Sequence, residues 1–306
     1  MDLHPKLLVT SSLCDFLSPK KEVHSPHYEN FISQYSEITV SAIVSQGNLD
    51  EKMFQEPLEF LETHIDEFID GITTHAMQLR RKFPSYSILL GFNQGEFIQN
   101  MEERTFVTEY FKNKSKKLEI SNRIHVMRTL NASAFHSYFS LFGSVLEDIY
   151  REVKPTSLVK NITGGVLIEH CLKEILKINK ITTAFYDVLG KRSKFFLSKE
   201  ILISSWGFLN LIRNRQAHYN NYYDDNANKE LNKNYTNIIN SLSKIENSDV
   251  LVDVFKMNFG DIVAQVKDDG FLVFNNTLEN FVRNTTLIIM ESLYICELEK
   301  CKISKE

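Results

Sequence analysis

The sequence predicts a mainly α protein. It reads as a helical bundle over residues 121–306, with a small β-hairpin near 260–274, and a separate, mostly helical region over 1–120. Two observations predict this. Only 11 Gly and 6 Pro occur in 306 residues, about half the usual combined share of roughly 12%. Phosphate-loop and dinucleotide-binding folds spend glycine on phosphate turns, and sandwiches and barrels spend both residues on many tight turns. The second observation is apolar periodicity at three- and four-residue steps over long stretches. A 43% hydrophobic, 24% charged composition supplies a core and argues against disorder.

Residues 1 to about 49 read as irregular, holding Pro5, Pro19 and Pro26. Alternation of Ile38, Val40, Ala42 and Val44 allows a strand within 33–46. From 49 to 83 the spacing of Leu58, Leu61, Ile65, Phe68/Ile69 and Ile72 predicts an amphipathic helix, stopped by Pro84. The short apolar run 87–92 follows, then a second amphipathic stretch near 94–112. The basic segment 112–123 reads as a linker or an exposed helix end.

A long helix runs from Ser121 or Asn122 to Val153, closed by Pro155, with the stripe Val126, Leu130, Phe135, Phe139, Phe142, Leu146, Ile149 and Val153. Another follows Gly164-Gly165. Residues 198–223 are apolar almost all round, the mark of a buried helix. The segment 226–245 is polar and amphipathic. Around Asp268-Asp269-Gly270, Ile262/Val263 and Phe271/Val273/Phe274 predict the hairpin. Asn276 or Thr277 caps a last helix to about Lys300.

The net charge is −4, so nucleic acid cannot coat the whole surface and would need a local basic patch. Cys14, Cys171, Cys296 and Cys301 are too few and scattered for a disulfide scaffold, which fits a reducing compartment. The N-terminus lacks the pattern of a signal peptide, and no apolar run reaches the roughly 18 residues needed to span a bilayer. The expected setting is cytoplasmic, with no membrane partner.

Several motifs fail. The P-loop pattern is absent: Gly190-Lys191 is followed by Arg192. No HExxH or nucleophile elbow occurs. His24 and His27 lack a third ligand, and Glu169, His170 and Cys171 are adjacent, hence on different helix faces. No metal and no cofactor is expected.

One motif stands. Arg213-Asn214-Arg215-Gln216-Ala217-His218 closes the buried helix. Asn214 and His218 are i and i+4 and share a face. Arg213 and His218 are about 140° and about 7.5 Å apart along the helix, a gap a long arginine arm can close. Metal-independent RNA cleavage wants this set. A His near neutrality takes the proton of the attacking 2′-OH, arginine forks onto phosphate oxygens, and Asn orients either. Arg-Asn-x-x-x-His at fixed spacing is expected by chance roughly 0.02 times in such a chain. The plain alternative is structural: a helix end with Arg213 or Arg215 bridged to Glu147 or Asp148.

The segment resembles the signature of the HEPN superfamily, helical-bundle proteins whose enzymatic members are metal-independent endoribonucleases of toxin–antitoxin, abortive-infection and antiviral systems. Arg213, Asn214 and His218 match its signature positions, across a likeness covering about residues 121–245. The resemblance implies an acidic residue on an earlier helix, for which Glu147 and Asp148 fit. One subgroup carries tyrosine two residues after the His; this chain has Asn220 there, with Tyr219 beside the His as a supporting candidate. It also implies RNA as substrate, a homodimer with both motifs in a shared cleft, and an inhibitory antitoxin or sensor partner. Lys191, Arg192, Lys194 and Arg215 (with Lys199 nearby) are candidates to line an RNA groove, and Lys112 to Lys117 form a second basic cluster. Many domains of the family are non-catalytic, so a helical binding or dimerisation module remains the second reading.

Overall fold

Helices make up the regular structure throughout the computed structural model. It describes residues 26–49, 57–82, 101–154, 167–193, 195–218, 221–246, 248–272 and 274–303. Among these, ten α-helices and one π-helix follow each other, with no strand. They are α1 (Pro26–Gly47), α2 (Leu58–Lys82), α3 (Met101–Lys117), α4 (Asn122–Val153), the π-helix Leu167–Leu172, α5 (Lys173–Ile178), α6 (Thr182–Arg192), α7 (Lys199–His218), α8 (Asp225–Leu242), α9 (Asp249–Asp269) and α10 (Asn276–Ile303). No described helix is long and apolar enough to cross a membrane. The apolar run 87–92 and Gly164-Gly165 lie outside the described residues.

The chain divides into two compact units, one of residues 1–40 with 131–306 and one of 41–130. In the smaller unit, Lys112 bonds Asp70 between α3 and α2, and Asn122 donates to Asp66 at 2.7 Å. Ser115 meets His125 Nδ1 at 2.7 Å while Phe111 stacks on the His125 ring. The basic segment after Lys112 forms the last turns of α3, where lysines face the negative end of the helix dipole. The helix-end reading of 112–123 is therefore the one that applies.

The larger unit is built on aromatic packing. Trp206, Tyr138, Tyr150, Phe135, Phe142, Phe185, Phe208, Phe255, Phe259 and Phe281 are all fully buried. Helices α7, α8 and α9 pack in succession, and α6 packs on α10. Gly207 permits the close approach of α7 and α8, since a Cβ there would meet Asn234 Oδ1 at 3.1 Å. Phe208 meets Phe259 edge-on, and Phe259 in turn meets Phe281, joining α7, α9 and α10 in one core.

Three sequence expectations are corrected. The irregular N-terminal reading gives way to α1, because Tyr28, Phe31 and Tyr35 recur at helical spacing and are buried. Tyr28 stacks on Tyr294 of α10. The alternating Val40 and Val44 are both exposed, so that alternation marks no buried sheet face. Helix α6 had no sequence expectation; Phe185 and Leu189 bury one short stripe.

The hairpin near 260–274 is replaced by α9. Ile262 and Val263 are core residues of that helix, and Gly270 is its left-handed cap at φ 68°, donating to Val266 O. A hairpin turn and a helix C-cap both call for glycine at positive φ, so Asp-Asp-Gly serves either. Among the described residues, the β structure is one antiparallel bridge, Tyr222 to Phe271.

Candidate functional site

Helix α7 presents two kinds of surface along its length. Ile201, Leu202, Phe208, Leu209 and Ile212 are sealed in the core. Trp206, Asn210, Arg213 and Gln216 recur at steps of four, three and three, which places them along one side of the helix. That side meets α4. Phe142 and Phe139 of α4 pack on Trp206, at ring separations of 5.0 and 4.5 Å. Two turns further along α7, the Arg213 guanidinium lies over the same Phe139 ring, 5.8 Å from its centroid.

Arg213 Nη1 donates to Asn214 Oδ1 at 2.9 Å. The two motif residues are thus brought together by their side chains, and the guanidinium is held between an amide and an aromatic face. No described carboxylate pairs with it. His218, the last residue of α7, is exposed, and no described residue hydrogen-bonds its ring.

The chain leaves α7 through a firmly held segment. Asn221, at φ 66°, donates its backbone N–H to Arg215 O at 3.0 Å and its side chain to Leu272 O. Tyr223 N donates to Gly270 O at 2.9 Å. Arg215 pairs with Asp224 at 3.0 Å, and Asp224 also caps α8 by accepting from Ala227 N at 2.8 Å. That backbone bond first, then Arg215, holds the Asp224 carboxyl below its usual range. Tyr219 and Asn220 lie outside the described residues, as does Lys194.

The expected supporting acids are placed elsewhere. Glu147 binds Arg151 at 2.6 Å, one turn along its own helix, and Asp148 is exposed. Phe139 is the α4 residue beneath Arg213; Glu147 lies eight residues further on, about 12 Å at 1.5 Å per residue. The acidic partner of Arg213 is therefore not supplied by either.

The candidate RNA-groove cations also divide. Lys191 is exposed. Arg192 is buried, with its Nη2 2.5 Å from Glu291 Oε2, so it cannot line a surface groove. The Tyr28 hydroxyl reaches the other oxygen of Glu291 at 3.5 Å. Burial pushes the Glu291 carboxyl up to about 7, against the pull of Arg192. Arg215 is bound by Asp224, which leaves its charge matched within the chain.

One residue of the site had no signal in sequence. His136 sits on α4 one turn before Phe139, and its ring meets Phe135 edge-on at 6.2 Å. Burial first, then the Arg213 charge, hold its imidazole below the ordinary histidine range, while a contact with Gln216 works the other way. Its link to the motif runs across 77 positions of sequence, between Arg213 and His136, and nothing local in either segment marks it. Two side-chain atoms facing this region, Arg213 Nε and Gln216 Oε1, are buried without a hydrogen-bond partner of good geometry, as is Asn210 Oδ1.

Elsewhere, His27 is bound to Glu152 at 2.9 Å and His170 to the Tyr150 hydroxyl at 3.2 Å. Among the described residues no three His, Cys, Asp or Glu side chains gather into a metal-binding group. No protein-family model, no curated protein and no solved structure matches this chain.

Proposed function

We propose that this chain is a metal-independent endoribonuclease of the kind found in the HEPN superfamily, acting as a toxin or antiviral-defence effector. One observation carries the reading. Arg151, Arg192, Arg215 and Arg283 of the larger unit each face a carboxylate. Arg213 has an amide and a ring instead, at a helix end beside an exposed His. An unmatched, pre-oriented guanidinium is suited to an anion from outside, and its planar fork fits phosphate oxygens.

The reaction follows from these roles. His218 takes the proton of a ribose 2′-OH as the O2′–P bond forms. Arg213, steadied by Asn214, meets the charge that builds on the non-bridging oxygens. The P–O5′ bond breaks, the O5′ leaving group takes a proton from solvent, and His218 returns its own to solvent. The products are a 2′,3′-cyclic phosphate and a 5′-hydroxyl end. With one motif per chain, the reading places two copies side by side as a homodimer around one RNA, restrained by an antitoxin or sensor partner.

The test is cleavage of RNA by purified protein in the presence of a chelator, with product ends identified. Arg213→Ala and His218→Ala should each lower the rate by about 10²-fold or more. Undiminished cleavage in both variants would sink the assigned site, and loss of cleavage in chelator would point to a metal nuclease. A second reading, a non-catalytic binding or dimerisation module, is favoured by the half-buried, ring-stacked posture of Arg213. It stands if the wild-type protein cuts no RNA.

A further inference from the structure

Near the motif, the side-chain contacts between α4 and α7 run in opposite chain directions. Phe142 of α4 meets Trp206, Phe139 meets Trp206 and Arg213, and His136 meets Gln216 and feels Arg213. Moving from Phe142 back to His136 on α4 moves from Trp206 forward to Gln216 on α7. The apolar ladder of aromatic rings therefore ends in a polar rung made of His136, Arg213 and Gln216. Buried polar atoms normally find partners. Here the Arg213 Nε donor has none of good geometry among the described residues.

We propose that Arg213, Asn214, Gln216 and His136 form one binding site for a phosphodiester, in which His136 takes up a proton as the anion arrives. The proposal rests on the ribonuclease reading for the identity of the anion, and adds to it a second histidine from another helix. The physical argument is one of charge. Without a ligand, protonating His136 would set a second cation beside Arg213 in a half-buried place, which burial and repulsion both oppose. Arg213 is the charged group facing the ring from α7, and Gln216 is the polar one. On α4 itself, the residues three and four positions away are Ala132, Ser133, Phe139 and Ser140, none of them titratable. A phosphodiester carries one negative charge at any pH near neutrality. Its arrival cancels the repulsion from Arg213 and attracts the imidazolium directly. Linkage is reciprocal, so proton uptake must strengthen anion binding by the same factor by which the anion strengthens proton binding. His136 is thus a positioning residue, which adds a cation to the site only when substrate is there.

The experiment uses the full chain and a 2′-O-methyl oligouridylate, which cannot be cleaved at the 2′ oxygen and whose bases and backbone keep constant charge from pH 5.5 to 8. Its affinity is measured at both pH values for wild type, His136→Gln and His218→Gln, and the His136 ring is titrated by NMR with and without oligomer. Wild type should bind about tenfold more tightly at pH 5.5, with the His136 pKa raised by about one unit on saturation. His136→Gln should lose most of that pH dependence, and His218→Gln should keep the part that His136 supplies. An unmoved His136 resonance at saturation, or full pH dependence surviving in His136→Gln, overturns the proposal. RNA cleavage whose KM has the same pH profile in wild type and His136→Gln also removes it, while leaving the ribonuclease reading in place. His136-linked binding without any cleavage of unmodified RNA removes the ribonuclease reading and keeps the anion site. Absence of oligomer binding by wild type removes this proposal outright.

Discussion

The Arg213 guanidinium lies over the Phe139 ring, 5.8 Å from its centroid, and Phe139 is itself stacked on Trp206 at 4.5 Å. One ring thus ties the candidate site to the centre of the core. Replacing it with an aliphatic side chain keeps most of the apolar volume but removes the face on which the cation rests. Phe139→Leu should cost about 1 kcal/mol in packing and about 0.5–1 kcal/mol more from the lost cation–π contact, read by urea denaturation. RNA cleavage should fall by about tenfold or more, since a guanidinium free to swing no longer meets the phosphate in one geometry. A loss of stability with cleavage unchanged would show that Phe139 serves the core alone.

The buried pair Arg192–Glu291 offers a separate test of how the larger unit tolerates charge. Both side chains are nearly sealed from solvent, and each is the other's compensation. Glu291→Met removes the carboxyl oxygens that Arg192 meets, strands the Arg192 charge and should destabilise the protein by about 3 kcal/mol or more. The double change Arg192→Met with Glu291→Met should recover much of that loss, because it removes both desolvation penalties at once. If the double variant is as unstable as the single one, the pair is held by more than charge.

Two groups give opposite pH slopes. Glu291 has its carboxyl raised from 4.5 to about 7, chiefly by burial. The folded chain holds that proton more tightly than the unfolded one, so this contribution to stability is lost as pH rises through that window. His136 is shifted down, by burial and then by Arg213. The unfolded chain therefore binds its proton more readily, and stability falls as pH drops below about 6.5. Thermal melts from pH 5 to 8 should show His136→Gln with a shallower loss on the acid side. The Arg192→Met, Glu291→Met double variant should show a shallower loss on the other side. An acid limb identical in wild type and His136→Gln would contradict the assigned environment of that ring.

Gly270 carries the cap that ends α9 and starts the connection to α10. At φ 68°, with the Tyr222 ring 3.5 Å from where a Cβ would lie, Gly270→Ala meets the left-handed penalty of about 1–2 kcal/mol. The same residue accepts from Tyr223 N, so the change should also loosen the segment that follows the motif helix. Hydrogen exchange at the Tyr223 amide is the local readout. Unchanged protection there, together with unchanged stability, would refute this role for the cap.

The elements legible in the sequence are those whose signal is local. Asn122–Val153 and Asn276–Ile303 carry long apolar stripes, and their bounds agree closely with the expected ones. Thr182–Arg192 went unseen because eleven residues hold only a few turns of stripe. Asp268-Asp269-Gly270 misled because one backbone requirement, positive φ at glycine, belongs to two structures. For the site, the Arg213, Asn214 and His218 spacing was legible because it lies on one helix. His136 was not, because its relation to Arg213 exists only across two packed helices.

By itself the sequence determined the helical character of this protein, through its scarcity of turn residues and the period of its apolar positions, and it marked one unusual Arg-Asn-x-x-x-His helix end. Only the tertiary structure decided what each arginine near that end is for. In sequence, Arg192, Arg213 and Arg215 are the same chemical group within 24 positions. Folding brings Glu291 to the first from 99 residues away and Asp224 to the third. To Arg213 it brings Phe139 and His136, an aromatic face and an imidazole whose protonation is opposed by burial and by the Arg213 charge. A charge is matched or left open by what the fold places within a few ångströms of it, because Coulomb attraction and desolvation both act over that range.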